Sequence, residues 1–273
     1  MCKLKILFYA AVVALPLLCV GCDDSATNPR PAPAAGSVDV SFTLSSTVLG
    51  RTMSYAVYLP PDYEESTRYY PVLYLLHGLF GNHTDWIKNG ALKETADALI
   101  HDKTAPGMVV IMPDGLATFY VDDYQSGLKY ERYFIEEFMP AVEAAFRIRA
   151  DKYGRAIAGL SMGGYGSLYH GLRHRDLFCA VYALSAAVLT SGQPPSIHDM
   201  VDNLSGEEIG ELPGIVLDCG TEDFLLGVNV SLDALMTQKG VGHQFIRRGG
   251  SHTWAYWKSG LPNLLEFCGK AYR

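Results

Sequence analysis

The chain has 273 residues, of which 49% are hydrophobic and 19% charged, a composition that excludes disordered and fibrous proteins and fits one large globular domain. The formal net charge is −7, and basic pairs such as Arg247-Arg248 are isolated. Nucleic-acid binding needs clustered Lys and Arg, so the sequence predicts no nucleic-acid partner and favours a small-molecule or polymer substrate.

Residues 1–21 have the pattern of a signal peptide. Two lysines precede an apolar run from Ile6 to Val20, which is too short for a comfortable membrane span. The run ends in LLCVGCDDS, which resembles a bacterial lipobox, although Cys19 stands where that pattern usually has Leu. We expect cleavage before Cys22 and lipid attachment to it, hence an exported protein held at a membrane of the cell envelope. Secretion with an ordinary signal peptide is the alternative.

Residues 22–37 are rich in Pro, Ala and Ser and lack periodic apolar positions, which predicts a flexible tether. The folded domain is then expected over residues 38–273. It holds three cysteines, Cys179, Cys219 and Cys268. Their apolar neighbours favour buried thiols, with one disulfide as the alternative.

The domain opens with a predicted antiparallel hairpin, because VDVSFTLSSTVLGRTMSYAVYLP alternates apolar and polar residues about Gly50-Arg51. Six short apolar runs follow, each ending near Gly, Ser or Asp: PVLYLLHG, MVVIMPDG, AIAGLS, AVYALS, GIVLDCG and HQFIRRGG. Helical patterns such as KYERYFIEEFMPAVEAAF and SLDALMTQKG lie between them. The sequence therefore predicts an α/β fold with a mostly parallel sheet covered by helices on both faces. Thr190–Gly214 is less regular and is either a partial cap over the site or a plain surface excursion.

The segment GLSMG, Gly159–Gly163, matches the G-x-S-x-G nucleophile elbow, in which a strand turns sharply into a helix and exposes the Ser hydroxyl. The glycines allow strand and helix to approach without Cβ clashes. The apolar run before the motif and the small residues after it strengthen the match. Ser161 is therefore the candidate nucleophile at the carboxyl end of a buried strand, where ligands bind in such sheets.

A serine nucleophile needs a base and an acid that orients the base, expected later in the chain in the order acid, then His. His252 lies on a Gly-flanked loop after the apolar run HQFI and is the best placed of eight histidines. The acid is Asp218 or Asp223. We choose Asp223, which follows the strand end, whereas Asp218 lies inside the apolar run and, if buried, is expected to bond to backbone donors.

The reaction also needs donors for the oxyanion that forms on the attacked carbonyl. The backbone N–H of Met162, directly after the nucleophile, and that of Leu79, in the turn HGLFG after an early strand, are the candidates. Zinc-binding, dinucleotide-binding and P-loop patterns are absent from the sequence, so we expect no metal and no cofactor.

Five blocks resemble the esterase D-type α/β hydrolases, and they occur in the order typical of that family: LLHGLFGNHTDW, IMPDG, AGLSMGGYGSL, CGTEDFL and GGSHTWAYW. The group includes tributyrin esterases, S-formylglutathione hydrolases, feruloyl and acetylxylan esterases of carbohydrate esterase family 1, and mycolyltransferases. The resemblance implies an α/β-hydrolase fold, Ser161 as nucleophile, Asp223 as acid, His252 as base, and Leu79 and Met162 as oxyanion donors.

The resulting hypothesis is a serine carboxylesterase that forms an acyl-enzyme and acts on short-chain or hydroxycinnamoyl esters, such as those on plant polysaccharide. An acyltransferase of the mycolyltransferase type and a non-catalytic glycan-binding protein on the same scaffold are the alternatives. Six aromatic residues near strand ends are candidates for stacking on the substrate, with core packing as the other interpretation: Trp86, Phe119, Tyr120, Tyr124, Trp254 and Trp257.

Overall fold

The computed structural model describes residues 34–122, 127–188 and 195–273. The predicted signal peptide, Cys22 and residues 23–33 of the predicted tether lie outside these ranges. Those parts of the sequence interpretation therefore stay predictions.

The folded domain begins slightly earlier than the predicted boundary at residue 38. The backbone N–H of Gly36 donates a hydrogen bond to the Asp97 side chain at 2.9 Å, and Ser37 begins the first strand. A Cβ atom at Gly36 would lie 2.6 Å from the Leu59 carbonyl oxygen. Gly36 is thus buried and Ser37 is paired with Leu59 in the sheet, so both belong to the domain rather than to the end of a flexible tether.

One sheet of eight strands forms the centre of the described residues, in the order β1-β2-β4-β3-β5-β6-β7-β8. The two pairs that involve β2 are antiparallel and all others are parallel. This confirms the predicted mostly parallel sheet with an N-terminal antiparallel hairpin. The strands are β1 (Ser37–Ser46), β2 (Arg51–Leu59), β3 (Val72–Leu76), β4 (Val109–Pro113), β5 (Arg155–Leu160), β6 (Ala180–Leu184), β7 (Gly214–Gly220) and β8 (Gln244–Arg248).

Helices connect the strands. Within the described ranges they are α1 (Asp85–Lys88), α2 (Leu92–His101), α3 (Tyr130–Tyr133), α4 (Met139–Ala145), α5 (Met162–Arg173), α6 (Ile197–Asp202), α7 (Gly206–Glu211), α8 (Leu226–Gln238) and α9 (Trp254–Ala271). A π-helical turn, Phe134–Phe138, joins α3 to α4, and a 3-10 turn, Lys152–Gly154, precedes β5. None of these helices has the length and apolar character that crossing a bilayer requires.

The central strands β3, β4 and β6 are buried along their whole length, and their successive side chains point to opposite faces of the sheet. In β3, Tyr74 belongs to one apolar cluster, which includes residues of the π-helical turn, α5 and α8, whereas Leu73 and Leu75 belong to a second, which includes residues of α1, α2 and α9. Each face therefore has its own apolar core. The continuous apolar strands anticipated in the sequence are the consequence of this two-sided burial.

The irregular segment Thr190–Gly214 is only partly described, because residues 189–194 lie outside the described ranges. In the described part, Ile197 and Val201 of α6 are buried in the core cluster that also contains residues of α5 and α8. This part is therefore packed as a layer of the domain. The choice between cap and surface excursion remains a prediction for residues 190–194.

Candidate active site

Ser161 lies in the turn between β5 and α5. Its φ of +53° and ψ of −114° form a conformation that residues other than glycine rarely adopt. Three backbone hydrogen bonds hold it: its N–H donates to the Leu184 carbonyl at 2.8 Å, and its carbonyl accepts from the N–H groups of Tyr165 and Ala187, both at 3.0 Å. The strained turn is thus fixed from both sides at the carboxyl edge of the sheet.

The two glycines of the motif are required by close approach of backbone segments. A Cβ atom at Gly159 would lie 2.5 Å from the backbone of Gly163, and one at Gly163 would lie 2.5 Å from the Leu76 carbonyl oxygen. No side chain fits at either position without movement of the backbone. This confirms the steric role that the sequence predicted for both glycines.

His252 brings the three candidate residues of the triad together. Its Nε2 lies 3.0 Å from the Ser161 Oγ, and its Nδ1 lies 2.9 and 3.1 Å from the two carboxylate oxygens of Asp223. The Asp223 side chain is fully buried and that of His252 is 16% exposed. With its Nδ1 proton donated to a carboxylate, the imidazole presents Nε2 as an acceptor for the serine proton.

The environment of Asp223 favours the charged carboxylate. Burial raises the pKa of this group, but hydrogen bonds from His252, the Leu225 N–H and Ser185 outweigh burial and lower the pKa below its ordinary value. The carboxylate is therefore ionised at neutral pH. It can stabilise an imidazolium that forms at His252 during proton transfer.

The alternative acid, Asp218, faces away from His252. It is fully buried in β7, where it accepts hydrogen bonds from the hydroxyls of Tyr182 and Tyr256 and a longer one, 3.4 Å, from Arg248. The expectation of backbone donors was wrong. The reason is the alternation along β7, which directs residue 218 to the face covered by α9, where tyrosine hydroxyls are available.

The candidate oxyanion donors lie on two adjacent segments. A Cβ atom at Gly78 would lie 3.6 Å from the Ser161 Cβ, so the turn that carries Leu79 packs against the elbow. Met162 is the first residue of α5, and its N–H therefore lacks an intrahelical acceptor. In the ranges that the structure covers, neither the Leu79 N–H nor the Met162 N–H donates a backbone hydrogen bond outside regular structure.

His77 fixes this turn. Its Nε2 accepts a hydrogen bond from the Gly115 N–H at 2.7 Å, which leaves Nδ1 to donate to the Gly78 carbonyl, also at 2.7 Å. The Tyr120 hydroxyl donates to the His77 carbonyl at 3.0 Å. The position of Leu79 thus depends on a buried network on its N-terminal side.

Among the described residues, no group of three or more His, Cys, Asp and Glu is arranged to hold a metal ion.

Known proteins are similar to this chain in both sequence and fold. A family model described as "Putative esterase" matches residues 46–267. The chain belongs to this esterase family. A solved ferulic acid esterase is 35% identical, with a TM-score of 0.81, and the match covers 87% of this chain and 99% of that structure.

Two curated relatives of this esterase differ in length. The acetyl esterase of Caldicellulosiruptor saccharolyticus is 27% identical over 228 residues, 72% of this chain and 83% of the relative. The endo-1,4-beta-xylanase/feruloyl esterase of Xylanibacter ruminicola is 29% identical over 238 residues, which cover 83% of this chain and 30% of that protein. The esterase thus spans less than a third of this second relative.

Glu222, between the two aspartates, holds the loop that carries His252. Its carboxylate accepts from the Gly250 N–H at 2.6 Å, and its own N–H donates to the Gly250 carbonyl at 3.0 Å. Gly250 has a φ of +136°, and a Cβ atom there would lie 2.5 Å from the Tyr256 ring. The loop therefore returns to the end of β7, which brings His252 beside Asp223.

Ser185 is a supporting residue of the esterase that the sequence interpretation missed. It is fully buried at the end of β6, with a φ of +44°. Its hydroxyl accepts a hydrogen bond from the Trp257 indole at 3.0 Å and helps to lower the pKa of Asp223. Trp257 in turn packs edge-on against the His252 ring, with 4.8 Å between centroids. Asp223 and His252 are therefore supported by one buried cluster.

The five aromatic candidates that the structure describes mainly pack the interior. Trp86, Tyr120 and Trp257 are buried, Phe119 packs on Tyr165, and Trp254 lies between Trp86 and Trp257. Tyr124 lies outside the described residues. The interpretation of these side chains as core packing is the one that the structure supports.

Two other aromatic side chains are exposed next to site residues. Phe80 follows Leu79 and is 91% exposed, and Phe224 follows Asp223 and is 77% exposed. Neither residue was predicted from the sequence. Their adjacency to a candidate site residue was the signal available in the sequence.

The cysteines of the described domain are all free. Cys219 and Cys268 are buried and Cys179 is half-buried. Burial raises the pKa of Cys179 to about 11 and that of Cys219 to about 12. The expectation of buried thiols is confirmed for Cys219 and Cys268, and no disulfide joins these three residues.

Proposed function

We propose that this esterase hydrolyses hydroxycinnamoyl or short-chain acyl esters, including those attached to plant polysaccharide, with Ser161, His252 and Asp223 as its catalytic triad. The observation that carries the proposal is the continuous hydrogen-bonded chain from the Ser161 Oγ through His252 to Asp223. The substrate class is supported by relatives described as a ferulic acid esterase, an acetyl esterase and a xylanase/feruloyl esterase.

The first half of the reaction transfers the acyl group to Ser161. The Oγ attacks the ester carbonyl carbon while its proton passes to the His252 Nε2, and the carbonyl oxygen becomes an oxyanion. The N–H groups of Leu79 and Met162 stabilise that charge. The bond to the alcohol oxygen then breaks, and the His252 proton moves to that oxygen, so the free alcohol leaves and an acyl-serine remains.

The second half repeats these steps with water. His252 removes a proton from the water as its oxygen attacks the acyl carbon, and the same two N–H groups receive the new oxyanion. Collapse of this intermediate breaks the bond to the Ser161 Oγ, which regains its proton from His252. The carboxylic acid leaves and the enzyme is regenerated.

The test is release of free acid from p-nitrophenyl acetate, p-nitrophenyl butyrate, methyl ferulate and acetylated xylan. For Ser161→Ala we expect kcat to fall by about 10⁴-fold or more, because the nucleophile is lost. Ser41→Ala, an exposed serine on β1, is the matched control and should retain full activity. Hydrolysis by Ser161→Ala at more than a tenth of the original rate would refute the assignment. The preferred substrate identifies the acyl group.

The two alternative functions lack a supporting observation. None of the three relatives described above is named as an acyltransferase or as a glycan-binding protein. Transfer of the acyl group to an added sugar or lipid acceptor faster than to water would favour the transferase. Glycan binding without turnover would favour the binding protein.

We also propose that the protein is exported and anchored in the cell envelope through a lipid on Cys22. The two lysines, the apolar run Ile6–Val20 and the lipobox-like LLCVGC support this proposal. Labelling of expressing cells with a fatty-acid analogue is expected to mark the protein and to fail for Cys22→Ser, while Cys19→Ser stays labelled. Labelling that persists in Cys22→Ser would overturn the anchor.

A further inference from the structure

Phe224 is the solvent-facing partner of the His252 ring. The two ring centroids are 4.6 Å apart with a tilt of 51°. On another side, His252 packs edge-on against the buried Trp257. An exposed phenyl ring alone requires no explanation, since apolar atoms contribute much of any protein surface. Phe224, however, contacts the His252 imidazole, and this contact brings the phenyl ring close to the reacting ester bond.

The geometry of the reaction determines which part of the bound ester lies near Phe224. In the tetrahedral intermediate, the carbonyl oxygen points to the N–H groups of Leu79 and Met162. The alcohol oxygen must point to the His252 Nε2, because it receives its proton from that atom. We therefore expect a side chain that contacts the His252 ring from the solvent side, as Phe224 does, to be nearer the departing alcohol than the oxyanion.

We propose that Phe224 contacts the alcohol part of the ester and selects a sugar there, an inference that rests on the proposed function. The apolar C–H face of a sugar ring packs on an aromatic ring by dispersion and by removal of both surfaces from water. The exposed phenyl ring offers such a surface beside the reacting bond. The methyl group of a methyl ester is too small to cover this ring.

The backbone holds Phe224 in place before substrate binds. The Asp223 side chain accepts a hydrogen bond from the Leu225 N–H at 2.8 Å, and the Asp223 carbonyl accepts one from the Leu226 N–H at 2.9 Å. Phe224 thus lies inside a hydrogen-bonded turn at the start of α8. Binding a sugar against it requires little ordering of the chain.

The experiment compares two esters that share the feruloyl group, methyl ferulate and ferulate esterified to arabinose, in the full chain and in Phe224→Ala. For the sugar ester we expect kcat/KM to fall about tenfold, and for the methyl ester by less than twofold. Tyr69→Ala is the matched control and should change neither value. Tyr69 is also an exposed aromatic residue, but it lies before the amino end of β3, whereas the candidate site lies at the carboxyl ends of the strands. Phe224→Trp should restore the preference for the sugar ester.

Deacylation provides a second readout, because the acyl-enzyme no longer contains the alcohol. The rate of the steady phase after the burst with p-nitrophenyl ferulate is expected to be unchanged in Phe224→Ala. A lower deacylation rate, or equal losses for both esters, would mean that Phe224 acts on His252 and would overturn the proposal. Unchanged kinetics with the sugar ester would overturn it as well.

Failure of the proposed function is recognised separately. If the unmodified protein hydrolyses neither ferulate, the feruloyl specificity is wrong, and the same comparison is made with methyl acetate and acetylated xylose. A selective loss for the acetylated sugar in Phe224→Ala then supports the alcohol-side contact. Hydrolysis of none of the four esters by the folded protein would reject both the proposed function and this inference.

Discussion

The His252 Nε2 lies 3.0 Å from the Ser161 Oγ although 91 residues of sequence separate them. Ser161 follows β5 and His252 follows β8, and the strands between them in the sheet, β6 and β7, run parallel to both. All four carboxyl ends therefore meet at one edge. Asp223 follows β7 and lies beside His252, so the strand order assembles the site.

Asp223→Asn is expected to lower kcat by about 10²- to 10⁴-fold with little change in KM. The amide keeps the shape of the side chain but lacks the charge that orients His252 and stabilises its imidazolium. Steady-state hydrolysis of p-nitrophenyl acetate measures the effect. If the variant retains more than a tenth of the original kcat, Asp223 is not the acid of the triad.

Asp218→Asn is expected to affect stability rather than catalysis. The buried carboxylate accepts from two tyrosine hydroxyls and from Arg248, and the amide loses acceptor capacity there. We expect the free energy of unfolding in urea to fall by about 1–3 kcal/mol, and kcat of the folded variant to stay within about threefold. A loss of kcat as large as that of Asp223→Asn would reverse the roles of the two residues.

Gly163→Ala is expected to lower both stability and activity. The added Cβ would lie 2.5 Å from the Leu76 carbonyl oxygen, so α5 must move and displace Ser161. We expect a loss of about 1–3 kcal/mol in the free energy of unfolding, together with a lower kcat. Gly227→Ala in α8 is the control, because an added Cβ meets no atom within 4 Å. That variant should gain about 0.4–1 kcal/mol and keep its kcat.

His170 is expected to make the protein less stable as the pH falls. Burial lowers its pKa to about 3, and the nearby charge of His174 acts in the same direction. Between pH 6.5 and 3 the unfolded chain therefore binds a proton that the folded protein excludes. The free energy of unfolding should fall with decreasing pH by up to about 1.4 kcal/mol per pH unit from this residue.

His170→Gln tests this contribution, since the Gln amide can still donate to the Tyr120 carbonyl that His170 Nε2 contacts at 2.9 Å. Urea unfolding is measured between pH 4.5 and 6.5. Glu131, whose pKa in the folded protein is lowered to about 2 by hydrogen bonds that outweigh burial, takes up a proton in the unfolded chain near pH 4.5, so the slopes are compared in the part of this window above about pH 5.5. The variant should have the shallower pH dependence. Equal slopes for the two proteins would show that His170 is protonated in the folded state.

The sequence was sufficient to predict the class of fold and the residues of the candidate triad. Strands buried on two faces are continuously apolar, and the turn at Ser161 admits only glycine at positions 159 and 163, so both features leave local patterns. The choice of Asp223 over Asp218 rested on the same logic. A residue beyond the strand end can reach a loop, whereas one inside the strand is directed by alternation.

Contacts across the sheet edge were decided by the tertiary structure alone. Ser185, at the end of a neighbouring strand, lowers the pKa of Asp223, and Phe224 contacts His252 because β7 and β8 are adjacent. The tyrosine partners of Asp218 come from β6 and α9. Hydrophobic period and glycine spacing report how each segment is buried, but they do not encode which segments become neighbours. That information arises only when the strands take their order in the sheet.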